Sequence, residues 1–248
     1  MDLGLKDKLI VVTGGGAGIG QGISRACLAE GARVVVLGRH SQNVEDFMVE
    51  MKGAGAKCDL VEAHLEDTAR CESAIAEIEK KFGDIYGLVN NAGVNDGVGL
   101  ASGNVERFLE SLQKNLVHYY ALAHFALAGL KRTKGSIVNI ASKVALTGQG
   151  NTSGYAASKG AQLALTREWA AELLPDGVRV NAVLPGAIVT EKQKRLWYTP
   201  QYKAEIMASQ ALKRDIMPED VARLVLFLAA DDSSGITNQS YVVDGGWV

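Results

Sequence analysis

Tyr155 and Lys159 stand four residues apart, a spacing that puts both on one face of a helix. A phenol with a pKa near 10 is a poor base at neutral pH. A cation about 4 Å away is worth about 4 kcal/mol at an effective dielectric near 20, or roughly three pKa units. Such a pair can bring a tyrosine toward neutrality, where it exchanges a proton with an alcohol. Taken alone, the spacing also describes an ordinary exposed pair on a helix. Its weight comes from the residues around it.

A second group of residues suits a phosphate. Gly14, Gly15, Gly16, Gly18 and Gly20 follow the apolar run 9–13 and lead into a helical pattern that starts at Ile19. Missing side chains let the main chain turn tightly and approach a pyrophosphate. The helix start then supplies free N–H groups and a positive dipole end. A strand before and a helix after is the context that gives a glycine pattern its meaning. After the second apolar run the chain reads Gly38, Arg39, His40, Ser41, with no acid to hold a ribose 2′-hydroxyl. Nothing there repels a 2′-phosphate, and the Arg39 guanidinium can grip one with two hydrogen bonds. NADP is therefore the expected dinucleotide, with NAD as the other possibility.

The elements that must position these residues are legible as a rhythm. Short β-branched runs at 9–13, 33–37, 87–90, 136–140, 179–183 and 240–243, with a weaker one at 58–63, alternate with helical patterns at 19–30, 42–53, 69–82, 105–131, 154–174 and 219–230. Most of the runs are continuously apolar, as in strands covered on both faces. The expectation is an α/β fold: one domain over residues 1–248, a doubly wound parallel sheet of about seven strands, Rossmann-like, with helices on both faces. The stretch 188–215 breaks the rhythm. It is polar, mixed in charge and too long for an ordinary connection, so it reads as a lid or substrate loop.

The motifs, in chain order, resemble those of the short-chain dehydrogenase/reductase family. They are the glycine loop with its GxxxGxG spacing, Asn90-Asn91-Ala92-Gly93, Asn115, Ser142, Tyr155-Ala156-Ala157-Ser158-Lys159, then Pro185-Gly186 and Thr190. Ser142 precedes Tyr155 by thirteen residues, as is usual in that family. The resemblance covers essentially the whole chain. It implies that Asn115, Ser142, Tyr155 and Lys159 are catalytic. Ser142 would hold the substrate oxygen at the Tyr155 hydroxyl, Lys159 would also hold the nicotinamide ribose, and Asn115 would hold a relay water. It further implies that Gly14, Gly16, Gly18, Ile19, Gly20, Arg39, His40, Asn91, Ala92, Gly93, Pro185 and Gly186 contact the dinucleotide. Thr190 and the backbone near Ile188 would take the carboxamide, and His64 and Leu65 stand where relatives face the adenine.

The segments expected to line a substrate pocket are polar. Asn95, Asp96, Lys143, Gln149, Asn151 and Glu191 offer donors and acceptors, and Trp197 and Tyr198 offer faces on which a pyranose can stack. Asn95, Asp96, Ser142, Gln149, Tyr155 and Trp197 are the expected substrate contacts. A steroid or acyl pocket would leave such groups unpaired. The expected substrate is thus a polyhydroxylated small molecule. Chain length and motif wording are similar to the family's sugar dehydrogenases of the L-fucose type, which oxidise an aldose at C1 to its lactone. The other reading is an NADPH-dependent carbonyl reductase acting on a 3-oxoacyl carrier or a small ketone.

Composition narrows the classes. The chain has 248 residues, 47% hydrophobic and 22% charged, with 26 Lys and Arg against 28 Asp and Glu. A net charge of −2 argues against a nucleic-acid partner. No apolar run reaches the roughly 18 residues of a membrane span. The opening residues carry only a short apolar run, unlike a signal peptide. Cys27, Cys58 and Cys71 lack metal-ligand spacing and fit unpaired thiols in the cytoplasm, so no metal is expected. Apolar residues on more than one face of 105–131 and 154–174, with the end 242–248, suggest a homotetramer, the typical assembly of the resembled family.

Overall fold

The computed structural model describes residues 3–247. Its elements follow the expected alternation: β1 (Leu9–Thr13), α1 (Gly18–Ala29), β2 (Arg33–Gly38), α2 (Gln42–Gly53), β3 (Cys58–Glu62), α3 (Thr68–Phe82) and β4 (Gly87–Asn90). Then come α4 (Val105–Leu112), a π-helical segment (Gln113–Val117), α5 (His118–Phe125), α6 (Leu127–Thr133), β5 (Ser136–Ile140), the single turn α7 (Val144–Thr147) and α8 (Ser153–Glu172). The chain continues through β6 (Arg179–Pro185), α9 (Glu191–Leu196), α10 (Pro200–Ser209), α11 (Pro218–Ala229) and β7 (Ser240–Val243).

The seven strands form one parallel sheet in the order β3-β2-β1-β4-β5-β6-β7. The five inner strands β2, β1, β4, β5 and β6 are buried on both faces, which is why β1 reads LIVVT without alternation, whereas the edge strands β3 and β7 are partly exposed. Leu9 and Val11 face α3, α5 and α8 through Ile75, Ile78, Leu122 and Trp169. Ile10 and Val12 face the opposite layer, with Ile23 of α1, Phe47 of α2, and Val221 and Val225 of α11. At roughly 25 cal/mol per Å², burying a side chain of this size contributes about 2 kcal/mol, so the two layers carry most of the fold's stability.

Two departures from the sequence expectation bear on the site. The helix expected over 105–131 is three helices and a π-helical turn. The widened turn falls on Asn115, and Ala126 ends α5 before α6 begins. The stretch 188–215 is not a loop throughout: it contains α9 and α10. Thr190 Oγ1 caps α9 by accepting from Gln193 N at 3.2 Å, and Thr199 Oγ1 caps α10 by accepting from Tyr202 N at 3.1 Å. At the far end of the sheet, buried Arg179 of β6 donates to the carbonyls of Leu228 (2.8 Å) and Ala230 (3.0 Å). It thereby closes the carboxyl end of α11.

Candidate active site

In a parallel sheet every strand delivers its following loop to the same edge, and β1 and β4, neighbours here, send their connections to opposite layers. The glycine loop follows β1, Asn91-Ala92-Gly93 follows β4, and Ser142 follows β5. Pro185 is itself the last residue of β6, with Gly186 after it.

Thr13, the last residue of β1, binds two of these loops together. Its Oγ1 accepts from the Asn91 N–H at 2.8 Å and the Ala92 N–H at 2.9 Å, and its carbonyl accepts from Asn91 Nδ2 at 2.8 Å. The glycines of the loop leave little room for side chains. Gly14 and Gly18 have φ of +62° and +54°, and a β-carbon on Gly20 would lie 2.3 Å from the Gly14 carbonyl. The helix that begins here, α1, has no side-chain cap and no acid in its first turn, whereas α3, α4, α9 and α10 are all capped by side chains. Its leading N–H groups and dipole are thus left without an acidic or capping side chain behind a bare, tightly turned loop. That arrangement fits the pyrophosphate of a dinucleotide. Arg39 and His40 are exposed at the end of β2, open to a ligand seated on the loop. His64 is exposed as well, but the Leu65 and Ile188 side chains point into the core, so those two positions can offer a ligand only their main chain. Thr190 lies against the loop: a β-carbon on Gly18 would sit 3.5 Å from its methyl.

The four residues expected to do chemistry converge next to this loop. A β-carbon built on Gly93 would lie 3.0 Å from Asn115 Oδ1 and 3.6 Å from Lys159 Nζ. Asn115, fully buried in the π-helical segment, accepts from the Val94 N–H at 2.7 Å and donates to the Ser111 carbonyl at 3.0 Å. Tyr155 and Lys159 lie one turn apart on α8, and the Lys159 Nζ is 5.5 Å from the Tyr155 ring centre. Ser142 faces the phenol and favours its ionisation.

Burial acts on the charge of both members of the pair. Lys159 is buried, and the loss of hydration pushes its pKa down to about 7. Burial also pushes the Tyr155 phenol above its ordinary value, with Ser142 working the other way. Burial thus works against the charged form of both groups, and Ser142 works for the phenolate. Lys159 directs its hydrogen bonds to the Ile140 carbonyl (2.8 Å), Gln162 Oε1 (3.2 Å) and the Tyr119 hydroxyl (3.4 Å).

The expected substrate contacts are only partly gathered. Asp96 accepts from Ser111 Oγ at 2.8 Å, and Asn95 Oδ1 accepts from the Gly97 N–H at 3.3 Å. Gln149 is exposed, and Trp197 is 62% exposed. Several participants escaped the sequence reading. Thr13, Tyr119 and Gln162 are described above. His118 presents Nε2 to the Ala92 carbonyl at 3.2 Å, and its pKa, pushed down to about 4 by burial and by Lys159, keeps it neutral. Thr13, Tyr119, Gln162 and His118 are polar or aromatic residues within apolar stretches, and their spacing carried no signal. Lys143, one of the polar pocket residues expected from the sequence, is stacked over Trp247, 2.9 Å from the ring centre, beside Ser142.

Among the described residues no group of His, Cys, Asp and Glu gathers into a metal cluster, and no helix is long and apolar enough to cross a membrane. A family model described as enoyl-(acyl carrier protein) reductase matches residues 14–248. The chain is 37% identical to the D-xylose 1-dehydrogenase of Caulobacter vibrioides (strain NA1000 / CB15N), over 98% of this chain and 96% of that one. It is 33% identical to the 3-oxoacyl-[acyl-carrier-protein] reductase FabG of Thermotoga maritima, over 98% of this chain and 99% of that one. The crystal structure of Cj0485 dehydrogenase superposes with a TM-score of 0.93 at 35% identity, covering all of this chain and 96% of the other.

Proposed function

Because the chain belongs to the short-chain dehydrogenase/reductase family, and is thus an oxidoreductase of CH–OH groups that uses a nicotinamide dinucleotide, we propose that it oxidises a polyhydroxylated substrate. The substrate we favour is an aldose such as L-fucose, oxidised at C1 to its lactone. We take NADP to be the preferred dinucleotide over NAD.

The observation that carries this reading is the meeting of Ser142, Tyr155, Lys159 and Asn115 beside the glycine loop. The relative named as a D-xylose 1-dehydrogenase supports a sugar substrate, and so do the polar residues Asn95, Asp96, Lys143, Gln149, Asn151 and Glu191. The absence of an acid from 38–41, with Arg39 exposed, supports NADP.

The dinucleotide, held on the glycine loop and by Arg39 and His40, would supply the hydride acceptor. Ser142 Oγ would hold the substrate hydroxyl at the Tyr155 oxygen, and Tyr155, as the phenolate, would take the hydroxyl proton while the hydride on the same carbon leaves for the dinucleotide. A charged Lys159 5.5 Å from the ring favours the phenolate by roughly 3 kcal/mol at an effective dielectric near 20, or about two pKa units. Since burial strips that charge near pH 7, the groups that keep Lys159 protonated matter as much as its position. Asn115 shapes the floor beneath Gly93 and would hold the water that relays the proton. The segment 188–215, with α9, α10 and Trp197, would act as the lid, with Trp197 and Tyr198 against the sugar face. We take the assembly to be a homotetramer of one-domain subunits, covering the exposed Tyr120 of α5. The unpaired Cys27, Cys58 and Cys71 support a cytoplasmic setting.

A panel of L-fucose, D-arabinose, L-galactose and D-glucose, each with NADP+ and with NAD+, tests this reading by absorbance of the reduced dinucleotide. Turnover of at least one sugar is expected, faster with NADP+. Silence on all of them discards the sugar reading. The family model's description and the FabG relative favour a second reading, an NADPH-dependent carbonyl reductase. Oxidation of NADPH by an acetoacetyl thioester, with no response to sugars, would establish that reading instead.

A further inference from the structure

Gln162 lies on α8 three residues beyond Lys159, is fully buried, and has no part in the steps above. Its side chain makes two hydrogen bonds. Oε1 accepts from Lys159 Nζ at 3.2 Å, and Nε2 donates to the main-chain carbonyl of Asn115 at 2.7 Å. An ammonium only donates and a carbonyl only accepts. A side chain that joins them must offer one acceptor and one donor, and the two partners fix which end of the amide faces which. The carbonyl belongs to the π-helical turn Gln113–Val117, an irregularity of the kind that gathers at functional sites.

The turn that carries Gln162 is itself anchored to the sheet. Its carbonyl accepts from Thr166 Oγ1 at 2.8 Å. Thr166 Oγ1 accepts from Asn139 Nδ2 at 3.0 Å, and Asn139 Oδ1 accepts from Asn90 Nδ2 at 3.1 Å. A chain of polar groups thus runs from β4 through β5 to the residue that meets Lys159.

We propose that Gln162 is a positioning residue of the reaction: its amide ties the Lys159 amine to the Asn115 main chain and keeps that amine charged beside Tyr155. This rests on the reading of Tyr155 and Lys159 given above. The groups around the amine are few. Tyr155 comes from its own helix, His118 and Tyr119 from α5, Asn115 from the π-helical turn and the Ile140 carbonyl from β5. His118 is neutral at pH 7, Glu66 acts on His118, and the Tyr119 phenol is held well above its ordinary pKa. Charge on Lys159 is therefore sustained by dipoles, of which the Gln162 carbonyl is one.

The test is a titration of Lys159 in cofactor-free protein by NMR of lysine labelled with 13C at Cε, with the signal assigned by its loss in Lys159→Met. Gln162→Leu removes both bonds and should lower the Lys159 midpoint by about one pH unit, a tenfold change in the protonation constant. Gln162→Glu puts a carboxylate against the amine and should raise it. Gln162→Met serves if the leucine variant does not fold. With the best substrate of the panel, the alkaline limb of kcat should move in the same two directions, with substrate KM within about twofold. Midpoints unchanged in both variants, or moved the same way in both, overturn the proposal. If Tyr155→Phe retains turnover while the midpoints move in opposite directions, the assignment of Tyr155 fails and the coupling of Gln162 to Lys159 stands.

Discussion

The Lys159 amine lies 5.5 Å from the centre of the Tyr155 ring and donates its hydrogen bonds to Ile140, Gln162 and Tyr119 instead of to the phenol. Proximity along α8 therefore does not by itself produce a base. The amine acts on Tyr155 only while it is charged, and in this environment its charge is marginal near neutral pH.

Tyr155→Phe removes the oxygen that would accept the substrate proton and little else, since the ring remains to pack on α8. Turnover should fall by roughly a thousandfold or more, with dinucleotide affinity within about threefold of the parent. Steady-state kinetics and fluorescence titration of the dinucleotide check this. A variant that keeps near-normal kcat removes Tyr155 from the chemistry.

Burial of Lys159 also predicts how stability depends on pH. Its pKa is about 7 in the folded chain, against 10.5 for a freely hydrated lysine side chain. Between those values the unfolded chain holds a proton that the folded one lacks, so the Lys159 contribution to stability rises with pH. Below about pH 7 the folded state carries the full cost of the buried charge. The slope is at most about 1.4 kcal/mol per pH unit. Urea unfolding of the parent and of Lys159→Met at pH 7 and 9.5 should show the parent gaining relative to the variant. Parallel behaviour would mean that the amine is not desolvated as placed.

Thr13 can be tested without touching the chemistry. Thr13→Val leaves the Asn91 and Ala92 N–H groups without their acceptor, at a cost of about 2 kcal/mol. Dinucleotide affinity should weaken as well, because the turn after β4 loses its tie to the glycine loop. Thr13→Ser should restore both. Chemical unfolding and dinucleotide titration give the two readings, and an unaffected valine variant would show that the loops hold each other by other means.

Arg39→Asp replaces the exposed cation after β2 with a carboxylate. For an enzyme that grips a 2′-phosphate there, kcat/KM with NADP+ should drop roughly 10- to 100-fold, while that with NAD+ holds or rises. An unchanged NADP+/NAD+ ratio would place the discrimination elsewhere.

The strands were legible because burial on both faces demands uninterrupted apolar runs, as in Ile10 to Val12, and the glycine loop because no other residue type fits it. The reacting residues were legible through spacing and order. Gln162, Tyr119 and His118 were not. A polar residue at a helix position does not announce whether it turns inward, and their roles arise from partners 47, 21 and 26 residues away. The π-helical turn at Asn115 was hidden for the same reason, because nothing in Gln113–Val117 departs from helical composition. The helices of the segment 188–215 were within reach. Thr199 followed by Pro200 is a cap followed by a favoured first-turn residue, and Thr190 followed by Glu191 is a cap followed by an acid in the first turn of α9.

The strand order has a kinetic consequence. All the strand pairs are parallel, so none of them can close as a hairpin, and each waits for a crossover. The bond from Asn91 to Thr13 spans 78 residues. Closure over such distances is slow, and no short stretch of the chain assembles the loop, the turn after β4 and the lysine together. Refolding followed by dinucleotide binding should therefore recover late, after helical signal has returned, and excised halves of the chain should recover none of it.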